Sequence, residues 1–511
     1  MDVEPVTPLP KPQFQSLSSI SRLGGIPVLH TLWNQFDLSL LLSQSGIFKS
    51  RGVATWTLAF VYVIGLLAGC SSVNALAALY AGDGLLARIA WQSRITQPTL
   101  SRFLTGFTQW PVFNAKRTAR LQEDPDTALK EGDVIALDDS HVPHPYAKTL
   151  PFLNRLYDHS QKVYIWAMNL VVLHVVCQDG MEYPWSYAIW TKSEDGTATA
   201  SKLDLAADML RALRQQVSCR LWVVMDRWYF SKPFLRDCES LQLDWVTKAK
   251  RNTQLFRRIV EPATGRERFV PVQPRDLIRL AYPKLMVQTG VEVASAACAD
   301  IFLKMPTPTT NRKGETVVKM KYTRVAAVVG KRVRGNDVAT EQAAPSESSA
   351  GESPDEQVAE FKGAYLLLSN RHDAPGEVLK AWLKRWRIEV LFRAAKQDLG
   401  MLTCHSPSVS HTHAHLMLLF TAETLVRYLV WKDQKAAEQE DGTHGQVIRQ
   451  LLCIRCRLRQ VRSTNVEHPI IIHLDILANR FATLIRDLWP PTFELGWFAL
   501  SRRNQLLDAT A

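Results

Sequence analysis

At 511 residues, 46% of them hydrophobic, the chain has an ordinary globular composition and length for two to four domains. Its 61 Lys and Arg against 49 Asp and Glu give a net charge of +12 and a pI near 9.3. This favours a polyanionic partner, either nucleic acid or an acidic membrane surface, although a merely solvated basic surface carries the same charge. The 8 cysteines are scattered and the opening MDVEPVTPLPKPQ is neither basic nor apolar, which sets a secreted, disulfide-built protein aside in favour of a reducing cytosol.

Residues 1 to about 15 are Pro-rich, and residues 16–130 carry helical apolar runs at Leu38–Leu42, Leu58–Leu67, Ala75–Leu79 and Leu85–Ile89. No charge occurs from Val53 to Gly82, and Val53–Cys70 approaches the length of a bilayer span. Gly65, Gly69 and Ser71-Ser72 interrupt it, so two buried helices are expected, the second capped by a serine. The segment RITQPTLSRFLTGF (94–107) is similar to the second helix of a helix-turn-helix, with Gln97, Ser101 and Arg102 placed to enter a major groove.

The period then changes from helical to strand-like. Asp133–Asp139 is a short apolar strand ending in two acids. Val163–Cys177 and Glu182–Lys192, joined by a Gln178-Asp179-Gly180 turn, form a hairpin. Ser201–Val217 is an amphipathic helix, Leu221–Met225 a buried strand ending at Asp226, Phe234–Leu241 a helix and Asp244–Lys248 a strand. Lys250 to about Lys362 reads as short strands and turns, with a basic stretch at Asn311–Arg334 and an acidic, polar segment at Gly335–Glu360 expected to be disordered. Gly363–Asn370 is a strand, Ala381–Gly400 an unbroken helix of about six turns, and 401–511 helical.

On that helix Trp382, Arg385, Glu389 and Lys396 fall within roughly 60° of one another at 100° per residue. An aromatic, a guanidinium, a lone carboxylate and an ammonium along one face suit a phosphate held beside a metal better than a core. Asp138 and Asp226 read as strand-end acids, and central strands of one mixed sheet can bring such ends together. With Glu389 laid alongside, three carboxylates provide hard oxygen ligands for Mg²⁺. Two such ions can activate water or a 3′ hydroxyl for in-line phosphoryl transfer.

Strand-Asp, strand-Asp, helix-Glu in this order resembles the DDE transposases of bacterial insertion sequences. It resembles most the cut-and-paste group with a Tyr-Arg-Glu-Lys helix signature. The same spacing here reads Trp382, Arg385, Glu389, Lys396, followed by Leu399-Gly400, with Trp in place of Tyr. IALDDS (Ile135–Ser140) and VVMDRWYF (Val223–Phe230) are similar to that group's two Asp motifs, and a β-rich insertion between the second Asp and the Glu is its habit. The resemblance covers about 131–430. Asp138 and Asp139 compete for one role, and the family pattern of Asp, any residue, Ser or Thr favours Asp138, since Ser140 satisfies it.

The resemblance implies an α/β fold: an RNase H-like mixed sheet with a β-rich insertion and helical N-terminal and C-terminal regions. The expected division is a DNA-binding domain at 1–130, core at 131–250 and 366–430, insertion at 251–365, and a DNA-contact or dimerisation region at 431–511. Asp138, Asp226 and Glu389 are implied as catalytic metal ligands for two Mg²⁺ ions, with Mn²⁺ able to substitute. Trp382, Arg385, Arg393, Lys396, Lys248, Lys250 and Arg102 are implied as DNA contacts. The expected activity is metal-dependent cleavage and strand transfer at terminal inverted repeats, by a homodimer on double-stranded DNA in a bacterial cytoplasm, without a membrane partner. The rivals are a related nuclease that cuts without joining and a transposase-derived DNA-binding regulator.

Two further groupings carry less. Cys453, Cys456, His468 and His473 approach a zinc-finger spacing, but Arg455, Arg457, Arg459 and Arg462 surround the cysteines in what reads as a continuous helix, and Pro469 interrupts the histidines. His411, His413 and His415 open an apolar helix without an acid or cysteine beside them, and read as a polar helix start.

Overall fold

A computed structural model describes residues 19–83, 86, 95–147, 149–158, 161–192, 200–262, 265–287, 293–310, 316–332, 363–437, 444–449 and four strands between 456 and 501. After a short strand β1 (Ser19–Ser21) the N-terminal part is helical: α1 (Ile26–Gln35), α2 (Leu38–Gln44), α3 (Thr55–Leu67), α4 (Val73–Gly82), α5 (Gln97–Thr105) and α6 (Trp110–Glu123). The uncharged stretch is α3 and α4, as its glycines and serines imply. Ser72 caps α4 by accepting the Ala75 N–H at 3.1 Å. Gly65 is needed where the two helices meet, because a Cβ there would lie 2.6 Å from Leu76 Cδ1. All but Trp56 of the α3 side chains are buried, so a helix apolar on all sides is covered by protein. No helix of the described residues is long and apolar enough to cross a membrane.

The main sheet has twelve strands. Its first part comprises β2 (Val134–Pro143), β3 (Asn154–Asp158), β4 (Val163–Val176), β5 (Glu182–Trp190), β6 (Trp222–Met225) and β7 (Asp244–Lys248). β5 and β2 flank β4 antiparallel, while β6 lies parallel to β2 and β7 parallel to β6. The resulting order β5-β4-β2-β6-β7 is RNase H-like. Parallel neighbours require crossovers, and these are α7 (Lys202–Gln216) and α8 (Lys232–Ser240). A capping box between Ser201 and Asp204 starts α7.

The insertion continues the same sheet. It contains β8 (Leu255–Val260), β9 (Glu267–Val272), α9 (Pro274–Ala281), β10 (Met286–Val287), β11 (Val293–Thr310) and β12 (Thr316–Arg332), and β13 (Tyr365–Ser369) returns antiparallel to both β7 and β12. β11 and β12 run 18 and 17 residues, longer than the short strands expected. Pro306 and Pro308 are tolerated in β11 because β8 leaves it after Leu303, so the missing N–H groups break no ladder on that edge. Residues 335–360, expected to be disordered, lie outside the described residues.

Alternation along the central strands creates two cores. Ile135, Leu137, Val223 and Met225 join Leu210, Leu213 and Phe234 of α7 and α8. Val134, Trp222, Val224, Val246 and Leu367 pack against Leu379 and Trp382 on the opposite face.

The signature helix differs from the expected single rod. It is α10 (Pro375–Lys384) followed by α11 (Trp386–Gln397), with Arg385 at the junction. There the ladder tightens to three-residue bonds, Arg385 N–H to Trp382 O at 3.0 Å and Ile388 N–H to Arg385 O at 3.2 Å. Gly400, at φ +66°, ends the segment in the left-handed conformation glycine accepts most readily. α12 (Val409–Ala437) packs against α3 and β5.

Beyond α12 the helical reading fails in part. Cys456–Val461, expected within an arginine-rich helix, is strand β14, paired with β1 and with β15 (Ile470–Ile476). β17 (Phe498–Ser501) and β16 (Thr492–Leu495) complete a five-stranded sheet. The isoleucine run 470–472 supplies the branched side chains that such a sheet favours. Cys453 and His468, half of the zinc spacing, lie outside the described residues.

Candidate active site

The parity that builds the two cores also aims the acids. Asp138 follows Val134 by an even count and Asp226 follows Trp222 and Val224 likewise, so both belong to the face covered by α10 and α11. The parallel register pairs Leu137 with Met225, which sets the next residues, Asp138 and Asp226, side by side at adjacent strand ends. Lys248, two residues after Val246 on β7, shares that face.

Asp138 accepts from Arg385 Nη1 at 3.1 Å, and Glu389 accepts from Nη2 of the same guanidinium at 2.6 Å. Arg385 therefore ties strand acid to helix acid across the sheet–helix interface, with side-chain exposures of 21% for Asp138 and 33% for Glu389. Burial pushes the Asp138 carboxyl up to about 7. Arg385 opposes this, while the charges of Asp139 and Asp226 add to it. The shift is first a consequence of withdrawing the carboxyl from water, and only secondarily of the neighbouring acids.

Asp139 faces the other way. Its carboxylate accepts from Lys202 Nζ at 2.6 Å, Asn169 Nδ2 at 2.8 Å and Tyr229 Oη at 3.2 Å. Lys202 begins α7 and Tyr229 follows Asp226 by three residues, so this cluster ties both Asp motifs to the helix between them. The sequence reading missed Lys202, Asn169 and Tyr229. The Tyr of DRWY was the available signal, but nothing short of the fold pairs it with Asp139.

The expected DNA contacts divide into several environments. Trp382 is 6% exposed and packs in the α10 core, so little of the indole reaches the surface. Its ring, tilted against Tyr365 at 6.4 Å, lies beneath Lys248 Nζ at 5.2 Å and the Arg385 guanidinium at 5.1 Å. It is a platform that places two cations beside the acids. Burial lowers the Lys248 pKa, with Arg385 acting in the same direction and Asp226 opposing. Lys396 donates to Ser140 Oγ at 2.8 Å, next to Asp138 along β2. Arg393 is exposed beside Trp386, and Lys250 donates to the Phe230 carbonyl at 3.0 Å. Arg102 stands apart from this group, exposed in the last turn of α5 and donating to Pro98 O at 3.2 Å.

Carboxylates are hard oxygen donors, and Asp138 and Asp226 at adjacent strand ends fit a divalent cation chemically. No group of three or more His, Cys, Asp or Glu side chains is already disposed to hold a metal among the described residues. The third carboxylate, Glu389, is engaged by Arg385.

Behind α11 lies a second charge network. Arg387 donates twice to Glu182 at 2.6 Å, Glu182 pairs with Arg427 at 3.0 Å, and Arg427 bonds Glu423 at 2.8 Å. Burial pushes the Glu182 carboxyl up, but Arg427, His174 and Arg387 together outweigh it and hold the group well below the usual carboxylate range. This network fixes α11 and α12 to β5, two residues from Glu389.

The family model of the transposase DDE domain matches residues 129–425, more than half of the chain. No curated protein matches. Among solved structures, a piggyBac transposase synaptic complex with hairpin DNA is similar at 11% identity and a TM-score of 0.41, over 85% of this chain and 82% of that one. The matched segment runs from the loop before β2 into α12 and contains both aspartates and the α10–α11 helices. The chain belongs to the DDE-domain transposase family.

Proposed function

We propose that this protein is a cut-and-paste DNA transposase that binds the terminal inverted repeats of its own element, cleaves there and joins the ends to a target. The carrying observation is the disposition of Asp138 and Asp226 at paired parallel strand ends, facing Arg385 and Glu389 on the covering helix. In this reading Asp138, Asp226 and Glu389 hold two Mg²⁺ ions, for which Mn²⁺ can substitute. Such ions, when bound, lower the pKa of a water or 3′ hydroxyl and neutralise charge on the leaving oxygen.

The chain's own groups do the remaining work. Arg385 neutralises Asp138 and Glu389 in the ion-free protein, and its guanidinium is positioned to take a phosphate oxygen when those carboxylates have another counter-charge. Lys396 and Lys248 flank the acids and hold the backbone on either side of the reacting phosphate. Trp382 keeps Arg385 and Lys248 in place from below. A DNA hydroxyl is the nucleophile, so no covalent protein–DNA species is required. Residues 1–130 and 431–511 would recognise DNA and bring two copies together on it, around the core at 131–250 and 366–430 and the insertion at 251–365.

Incubation with DNA carrying the repeats that flank the gene, a target plasmid and Mg²⁺ tests the proposal. Excision and joined product are expected. Cutting without joined product would make the protein a nuclease, and binding without cutting would make it a regulator.

A further inference from the structure

Beside the acids, two cavities of about 820 and 800 Å³ open in succession. The first is lined by Asp226, Arg227, Lys250 and Arg251, the second by Arg227, Arg251, Lys248 and Arg275. Arg227 and Arg251 belong to both, so the two make one groove running from Asp226 to the start of α9 in the insertion. Five cations line it, against one acid, Asp226 itself. Arg227 and Arg251 are exposed and form no ion pair among the described residues. Two arginines that spend their charge on no protein acid, at a concave surface opening on an acid-bearing site, match a phosphodiester backbone.

The position of the groove gives it a direction. In the sheet order β4-β2-β6-β7-β13, Lys396 reaches Ser140 on β2, toward the β4 side of the acids. Arg227, Arg251 and Arg275 lie on the other side, where β6 and β7 lead toward the insertion. A strand crossing the acid pair therefore meets one set of cations before the reacting phosphate and the other set after it.

We propose that this groove binds the DNA beyond the cut, the flanking donor DNA before cleavage. The proposal rests on the transposase reading, in which Arg385 and Lys396 keep the element's end. The insertion then contributes Arg251 and Arg275 to holding what the end is cut from. This separates two phosphate tracks: one retained throughout the reaction, the other emptied on cleavage.

The test uses the full chain and two duplexes carrying the element's terminal repeat, one with flanking base pairs and one ending at the cleavage site. Fluorescence anisotropy across a salt series, without divalent ions, compares wild type with the Arg251→Glu, Arg275→Glu double variant. Both positions are exposed, and circular dichroism verifies that the variant is folded. The flanked duplex should bind the variant roughly tenfold or more weakly, with its salt slope reduced by about 0.9 for each phosphate that is no longer neutralised. The cut duplex should bind as it does to wild type. Equal weakening on both duplexes, or no weakening on either, overturns the assignment of the groove while leaving the transposase reading intact. If wild type prefers neither duplex to a scrambled one, both fall.

Discussion

At the scale of single residues, neighbouring acids on one strand separate into different tasks because a strand turns successive side chains to opposite faces. Asp138 meets the helix that carries Glu389, and Asp139 meets Lys202, Asn169 and Tyr229. Asp138→Asn should abolish cleavage. Asp139→Asn should retain measurable cleavage and instead lower stability by about 1–3 kcal/mol, the range for a half-buried network that loses one charged partner. Denaturant unfolding and a single-turnover cleavage assay separate the two effects, and the reverse pattern would reassign the ligand to Asp139. Trp382 offers a second residue-scale test. As a buried platform, its replacement by Ala should cost roughly 3–5 kcal/mol of stability, whereas a residue that only touched DNA would leave unfolding unchanged. Period-2 alternation made the choice between the acids a defined question in the sequence, and the family pattern pointed to Asp138. The burial of Trp382 was not legible in that way. A helix face of Trp, Arg, Glu and Lys looks equally suited to solvent or to DNA until β13 places Tyr365 against the indole.

Among elements, the orientation of α11 decides whether Glu389 faces the sheet. Arg387, two residues earlier, is anchored to Glu182, and Glu182 in turn to Arg427 of α12. Removing one partner from a buried pair leaves a charge uncompensated, so Glu182→Gln should destabilise by about 3–5 kcal/mol. It should also slow cleavage at temperatures where the protein remains folded, with affinity for the cut duplex preserved. An unchanged single-turnover rate would limit this network to stability alone. The strands and crossover helices of the core were readable from their apolar runs, caps and turns. Asp244–Lys248 appears in the structure with the limits that its sequence suggests. Three elements were misread for physical reasons. The break at Arg385 involves no Gly or Pro, only a local change to three-residue hydrogen bonding. The long β11–β12 hairpin carries prolines that an unpaired edge tolerates. Cys456–Val461 alternates charged and apolar residues in a manner compatible with helix or strand, and of its partners β1 is remote in sequence while β15 follows within ten residues.

For the whole molecule, the helical N-terminal part and α12 share one core with the sheet, with His411 and His415 buried in it and His30 half-buried at its edge. Burial holds His30 and His411 down to about 4 and His415 down to about 3, the last lowered further by the nearby His411. A histidine whose folded pKa is depressed stabilises the fold fully above its unfolded value near 6.5, and that stability is lost as pH falls toward the folded value. Each contributes on the order of 1.4 kcal/mol per pH unit across that window. The melting temperature should therefore fall between pH 6.5 and 4, and His415→Gln should flatten the decline. A profile equally steep in the variant would remove His415 from the account.

The central claim is that strand ends and helix meet at a single catalytic centre. It is tested most directly by Asp226→Asn, since Asp226 links the sheet to both the acid pair and the cationic groove. Cleavage of a repeat-bearing duplex in Mg²⁺ should fall below detection while affinity for the same duplex, measured by anisotropy, stays within a few-fold of wild type. Cleavage at the wild-type rate by this variant would contradict the assignment of the site.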